Sequence, residues 1–132
     1  MSCIMRHADY VTAIAKSARV LNYHFGAIVF EGRDIISAGW CQAKTHPKQA
    51  RFMRFAQEYK RNNSYLHAEI HALISARRDV EGYDMAVARW SENKLKTSRP
   101  CGACHHAIIV AGIRRVWFWN ETTKDWEWDE IC

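Results

Sequence analysis

Long apolar runs are absent from this 132-residue sequence, because no stretch reaches the roughly 18 apolar residues that a membrane-spanning helix requires. The residues from Met1 to Asp9 also lack the apolar stretch of a secretory signal. We therefore expect no membrane partner and a cytoplasmic location. The sequence contains no internal repeat, low-complexity tract or linker, so we expect residues 1–132 to form a single domain.

The cysteine content argues against a disulfide framework. The chain has five cysteines, which is an odd number, and two of them form a Cys-x-x-Cys sequence at Cys101 and Cys104. Free thiols fit a reducing compartment, where cysteines can bind metal as thiolates. The apolar fraction of 48% is sufficient for one hydrophobic core.

The formal net charge of +5 is unevenly distributed along the chain. It weakly favours a phosphate-bearing partner, such as a nucleotide or a nucleic acid. The stretch from Lys44 to Arg61 is basic, with Glu58 as its one acid, and it interleaves Phe52, Phe55 and Tyr59. Basic groups beside aromatic rings can bind single-stranded nucleic acid. The helical spacing of these aromatics favours the alternative, an amphipathic helix that buries them.

Hydrophobic periodicity predicts helices and strands in alternation. The predicted helices are residues 8–21, 48–61, 66–78 and 100–111, and the predicted strands are residues 25–30, 35–40, 84–90, 113–119 and 126–128. Turns are expected at residues 31–34 and 91–94, and Gly112 should end the last helix. This order implies a sheet that is covered by helices on both faces.

Two short motifs, His67-Ala68-Glu69 and Pro100-Cys101-Gly102-Ala103-Cys104, carry the chemistry of the sequence. One histidine and two cysteines can hold zinc through three protein ligands, which leaves a fourth position open for water. Glu69 is not needed as a ligand and is therefore free to move protons. Each motif should lie at the start of a helix, whose dipole favours thiolates. This spacing is the signature of zinc-dependent nucleobase deaminases.

Two alternatives for the Cys-x-x-Cys sequence are a structural zinc site and a redox pair. A structural site requires a fourth ligand, for which His71, His105 and His106 are candidates. A redox pair would leave His67 and Glu69 without a role. We therefore favour a catalytic zinc ion held by His67, Cys101 and Cys104, with Glu69 as the catalytic residue.

The motifs and their surroundings resemble the cytidine/deoxycytidylate deaminase superfamily over nearly the whole chain. The resemblance rests on Phe25-Gly26-Ala27-Ile28-Val29, on residues 36–40, on His67-Ala68-Glu69-Ile70 and on residues 100–116. It implies an α/β fold, namely a three-layer α/β/α sandwich with a mixed five-stranded sheet. It also implies that water activated by zinc attacks C4 of cytosine or C6 of adenine, while Glu69 transfers protons and ammonia leaves.

The resemblance also suggests substrate contacts. The backbone of Ala68 is a candidate for the base, and Gly26 and Ala27 match a Gly-Ala pair that many members carry on the first strand. Many members have asparagine where this chain has Cys41, in Gly39-Trp40-Cys41, and cysteine is a poorer hydrogen-bond partner. Two further residues are candidates for substrate contacts, and each has an alternative role. Arg99 either binds a substrate phosphate or lies at the surface, and Trp119 either lines the base pocket or packs in the core.

Three functions follow from these features. The leading hypothesis is deamination of a cytosine nucleotide or nucleoside, similar to dCMP or CMP. The second is deamination of cytosine or adenine in single-stranded DNA or RNA. The third is a zinc-stabilised binding module without turnover, against which Glu69 argues. Relatives are often oligomeric, so a homo-oligomer remains open.

Overall fold

The computed structural model describes residues 2–18, 24–44, 46–55 and 66–131. In chain order the elements are α1 (Ser2–Ser17), β1 (Phe25–Glu31), β2 (Asp34–Trp40), α2 (Pro47–Phe55), α3 (Ala68–Ala76), β3 (Asp84–Ser91), β4 (Lys94–Lys96), α4 (Gly102–Ala111), β5 (Arg115–Asn120) and β6 (Asp125–Glu130). The predicted helix 48–61 is observed over Pro47–Phe55, and its remaining residues lie outside the described part. No helix in the described ranges is long and apolar enough to cross a membrane.

The strands form one mixed sheet in the order β2-β1-β3-β5-β6. The β3 and β5 strands are parallel, whereas the other neighbouring pairs are antiparallel. These five strands confirm the predicted mixed sheet. A sixth strand, β4, pairs with the end of β3 and was not predicted. It follows a tight hairpin turn whose central residues, Glu92 and Asn93, both have positive φ, the conformation of a type I′ turn.

Helices cover both faces of the sheet, which confirms the three-layer arrangement. Helix α1 packs on one face, against β1 and β3, and α3 packs on the other, against β2, β1 and α4. The α1 side is filled by Val11, Ala15, Ile28, Phe30, Ala86 and Ala88. The opposite side holds a larger core that includes Ala27, Ala68, Ile70, Ala103, Cys104 and Ile108.

Helix α1 begins earlier than the apolar periodicity predicts, at Ser2 rather than near Ala8. His7 explains part of the difference, because it is polar in sequence yet buried in the structure. Its Nε2 donates a hydrogen bond to the carbonyl of Gly32 at 2.8 Å, and its ring lies against Phe30. This bond satisfies one of the two ring nitrogens, and a hydrophobicity pattern does not register a polar residue that is buried in this way.

Two glycines allow helices to approach the sheet closely. A Cβ atom at Gly39 of β2 would lie 2.3 Å from the backbone nitrogen of Ala72 and 2.4 Å from the carbonyl oxygen of Ala68. A Cβ atom at Gly26 of β1 would lie 2.8 Å from the backbone nitrogen of Ala15 in α1. Gly39 therefore sets the distance between the sheet and α3.

Candidate metal and catalytic site

Two helix N-termini bring the predicted metal ligands together. His67 is the N-cap of α3 and Cys101 is the N-cap of α4, and both have extended backbone conformations. The sequence analysis expected α4 to include Cys101. The structure starts the helix at Gly102, because Cys101 keeps an extended backbone while its carbonyl accepts the first helical hydrogen bond from His105. Cys104 lies in the first turn of α4.

The ligand atoms are spaced as one tetrahedral metal ion requires. Nδ1 of His67 lies 3.3 Å from Sγ of Cys104 and 3.6 Å from Sγ of Cys101, and the three atoms lie within 4.8 Å of one another. Zinc–nitrogen and zinc–sulfur bonds of about 2.0 and 2.3 Å at a tetrahedral angle would place nitrogen and sulfur about 3.5 Å apart. The three residues therefore fit a zinc ion.

The histidines that were candidates for a fourth ligand lie outside this group. Among the described residues, only His67, Cys101 and Cys104 form such a cluster. Nδ1 of His71 instead accepts a hydrogen bond from the backbone N–H of Trp40 at 3.1 Å, and the two rings meet edge to face. Three protein ligands leave one tetrahedral position for water, which is the pattern of catalytic zinc sites.

The pKa of the Cys101 thiol is lowered to about 3. The main cause is a hydrogen bond with Cys104. Burial opposes the shift, and a hydrogen bond with His67 contributes in the same direction as Cys104. The arrangement favours a thiolate, which is the form of cysteine that binds metals.

Glu69 lies in the first turn of α3 and has only 5% of its surface exposed. Burial raises the pKa of its carboxyl group, the nearby His67 opposes that shift, and Cys101 adds to it. The carboxyl group also has a hydrogen bond with Cys104 but is not one of the three grouped ligands. A buried carboxyl group beside a metal site can hold a proton and transfer it to a bound molecule.

The backbone that leads into His67 is held from two directions. Leu66 forms a two-way bridge with Gln42, in which each backbone N–H donates to the other carbonyl at 3.0 Å. The N–H of His67 itself donates to the side-chain oxygen of Gln49 in α2, at 2.9 Å. The sequence analysis missed Gln49, because a single glutamine in a basic helix carries no spacing signal.

The structure places two of the predicted substrate residues, Ala27 and Ala68, on the same side of the sheet as the ligand cluster. Both are fully buried in the core that also contains Ala103 and Cys104. Ala68 is the first residue of α3, between His67 and Glu69. Both residues therefore share a core with the ligand cluster, and their roles as substrate contacts stay predictions.

Cys41 and Arg99, two further candidate substrate residues, contact residues that are not part of the ligand cluster. Cys41 is buried in a small cluster with Ala18 and Phe25. The guanidinium of Arg99 lies 4.4 Å from the centre of the Phe118 ring, and its Nη2 lies 3.5 Å from a carboxylate oxygen of Asp129. The Arg99 side chain is 59% exposed, so this ion pair is largely open to solvent.

Gly26 and Trp119 lie on the α1 side of the sheet, opposite the ligand cluster. The side of Gly26 on which a Cβ atom would lie faces the backbone of α1. Trp119 alternates with Phe118 along β5, which places it on the same face as Trp117, and it packs against Trp126 of β6. Gly26 thus lies against α1 and Trp119 against Trp126, and their roles as substrate contacts stay predictions.

A three-layer α/β fold with a His/Cys/Cys cluster beside a buried glutamate defines the class of zinc-dependent nucleobase deaminases. Residues 1–120 match the family model described as the cytidine and deoxycytidylate deaminase zinc-binding region. The chain therefore belongs to this family, whose site binds zinc.

Solved structures support the same fold. A dCMP deaminase from the cyanophage S-TIM5, in its apo form, shares 22% identity with a TM-score of 0.63, over 92% of this chain and 87% of that one. The same enzyme in complex with dCMP and dUMP shares 20% identity with a TM-score of 0.52, over 87% of this chain and 76% of that one.

A third solved structure is a diaminohydroxyphosphoribosylaminopyrimidine deaminase/5-amino-6-(5-phosphoribosylamino)uracil reductase from Thermotoga maritima. It shares 20% identity with a TM-score of 0.54, over 87% of this chain but only 28% of that one. No curated protein matches the chain in sequence. At these identities the solved structures show the fold and leave the substrate to be argued from the site.

Proposed function

We propose that the protein is a zinc-dependent hydrolytic deaminase of a cytosine nucleotide or nucleoside, which yields the uracil product and ammonia. The observation that carries this proposal is the convergence of the His67, Cys101 and Cys104 ligand atoms beside the buried carboxyl group of Glu69. Three such ligands can bind a metal, and an uncoordinated carboxyl group beside them is placed to transfer protons.

In this proposal, His67, Cys101 and Cys104 hold the zinc ion. Bound zinc would supply the Lewis acidity that activates a water molecule at neutral pH. Glu69 accepts a proton from the attacking water and delivers it to the ring nitrogen of the base. It then carries the second proton of that water, from the new hydroxyl group on the ring carbon, to the amino group, which leaves as ammonia while the carbonyl forms. Burial of Glu69 and its contact with Cys104 keep this carboxyl group in one position during both transfers.

A solved neighbour and the charge of the chain support the substrate class. A solved neighbour of this fold is a dCMP deaminase in complex with dCMP and dUMP, and the net charge of +5 suits a phosphate-bearing substrate. We assign the backbone of Ala68 to the base. We assign the exposed guanidinium of Arg99, two residues before Cys101, to the phosphate. Cys101 and Cys104 form no disulfide bond, which is consistent with a reducing, cytoplasmic environment.

The experiment is a parallel assay of zinc-loaded wild type and the Glu69→Gln variant with dCMP, CMP, deoxycytidine and cytidine. Release of ammonia, with the change from cytosine to uracil absorbance, is expected for at least one of these with wild type only. The amide of the variant keeps the shape of the side chain but cannot shuttle protons. No turnover of any of the four by zinc-loaded wild type would overturn the proposal.

A second candidate is deamination within single-stranded nucleic acid. Trp40 is 44% exposed, and the segment after it carries the exposed residues Lys44, Lys48 and Arg51. An exposed aromatic ring near cations can stack on bases and attract phosphates. Sequencing of oligonucleotides after incubation would detect C-to-T or A-to-G changes. Absence of salt-dependent oligonucleotide binding would count against this candidate.

A further inference from the structure

Gln49 connects helix α2 to the candidate metal site through a buried hydrogen bond. Its side chain is 1% exposed, and its Oε1 accepts the backbone N–H of His67 at 2.9 Å. Helix α2 also packs against α4, the helix that carries Cys104. Helix α2 therefore contacts both His67, the ligand that precedes α3, and the helix that carries Cys104.

The hydrogen bond fixes the orientation of the Gln49 carboxamide, because only its oxygen can accept a bond from an N–H group. The amide nitrogen, Nε2, then points away from His67. It is buried and has no hydrogen-bond partner among the described residues. An apolar side chain of the same size would avoid burying this group. Packing alone therefore does not account for a glutamine here, whereas the bond to His67 does.

His67 is a residue whose backbone needs an external partner. It is the N-cap of α3, and its own side chain makes no capping hydrogen bond but turns towards Cys101 and Cys104. The preceding residue, Leu66, is already tied to Gln42. With Gln49 holding the next N–H group, the peptide that carries the imidazole is fixed on both sides before any metal arrives.

We propose that Gln49 is a positioning residue of the zinc site, which acts through the backbone of His67 to hold Nδ1 opposite the two cysteine sulfurs. The inference rests on the proposed function in one respect, namely that His67, Cys101 and Cys104 hold zinc. A ligand that is already ordered loses less conformational freedom when the metal binds, so loss of the Gln49 contact lowers zinc affinity.

The test compares Gln49→Met, which has similar size but only a weakly accepting sulfur, with Gln49→Glu, which keeps an oxygen acceptor and loses the Nε2 donor. Gln42→Met is the matched control, because the Gln42 side chain contacts His71 while its backbone bridge to Leu66 survives substitution. Zinc affinity is measured by competition with a chelator. The absorption spectrum of the cobalt-substituted protein reports the ligand geometry independently of activity.

Gln49→Met should weaken zinc binding by about 10-fold to 100-fold and alter the cobalt bands. Gln49→Glu, which keeps an acceptor, should bind zinc more tightly than Gln49→Met, and Gln42→Met should bind zinc as wild type does. A folded Gln49→Met variant with wild-type zinc affinity and spectrum would overturn the inference. Equal losses in Gln49→Met and Gln49→Glu would also overturn it, because one of them keeps the acceptor.

Two further outcomes of the experiment also test the inference. If Gln49→Met does not fold, Gln49→Glu decides. Affinity near wild type then supports the inference, and a loss of tenfold or more overturns it. If wild type itself binds no zinc, the proposed function fails together with the inference, whereas tight binding by wild type and Gln49→Met alike removes only the role of Gln49.

Discussion

Replacing Gly39 by alanine tests whether the close packing of α3 on the sheet positions the candidate site. The new Cβ atom would lie 2.3 Å from the backbone nitrogen of Ala72 and 2.4 Å from the carbonyl oxygen of Ala68. Both are backbone atoms, so no side-chain rotation relieves the overlap. Non-bonded atoms are in ordinary van der Waals contact at about 3.5 Å. Helix α3 would therefore have to move away from β2 by about 1 Å.

This displacement has two expected consequences. Overpacking of this kind lowers the free energy of unfolding by about 1–3 kcal/mol. Because α3 carries Glu69 and begins beside His67, the shift also moves the carboxyl group relative to the cysteines of α4. A misplacement of about 1 Å can reduce the catalytic rate by about 100-fold. Urea unfolding measures the first effect, and the rate of the zinc-loaded, folded fraction measures the second.

Gly82→Ala provides the matched control. Gly82 has φ +82° in the turn before β3, and a Cβ atom there would meet no atom of the described residues within 4 Å. Alanine at this position costs stability through backbone strain, about 1–3 kcal/mol, without moving α3. Its zinc affinity and catalytic rate should remain those of wild type. A Gly39→Ala variant that loses no more activity than Gly82→Ala would refute the positioning role of the contact.

Two further predictions follow from other contacts. Cys104→Ser replaces a thiolate ligand by a hydroxyl group, so zinc affinity in chelator competition should fall by at least about 100-fold, and zinc should no longer raise the melting temperature as it does for wild type. Unchanged affinity would remove Cys104 from the ligand set. Ser98→Ala leaves the N–H of Trp119 and the carbonyl of Val87 without their side-chain partner. It should lower the free energy of unfolding by about 1–3 kcal/mol, whereas a wild-type urea midpoint would contradict the importance of this bridge.

The ligand cluster could be predicted from the sequence because each of its residues has a chemical role at a fixed spacing. Cys101 and Cys104 are close in sequence, and their places at the N-cap and in the first turn of α4 put them near one another. The structure adds His67, which is distant in sequence, within 4.8 Å of both. The fold was predictable for a related reason, since the periodicity of buried residues records the face that each helix and strand presents to a core.

The neighbourhood of the cluster was less predictable, because it depends on contacts between distant segments. The resemblance indicated the strand on which Gly26 lies but not that its open side faces α1. Similarly, the face of Trp119 depends on the pairing of β5 with β6. Strand β4 is only three residues long, which is too short to show the alternation of apolar and polar residues that predicts a strand. Gln49 acts through one hydrogen bond, which no pattern of residue types reveals.

The most direct test of the central claim is the deamination rate of zinc-loaded wild type and Glu69→Gln on cytosine nucleotides and nucleosides. The proposed mechanism predicts ammonia release and uracil formation by wild type. It predicts a loss of several orders of magnitude in the variant, which should still bind zinc because Glu69 is not among the grouped ligands. A zinc-loaded variant that deaminates as fast as wild type, or a zinc-loaded wild type that turns over none of these substrates, would contradict it.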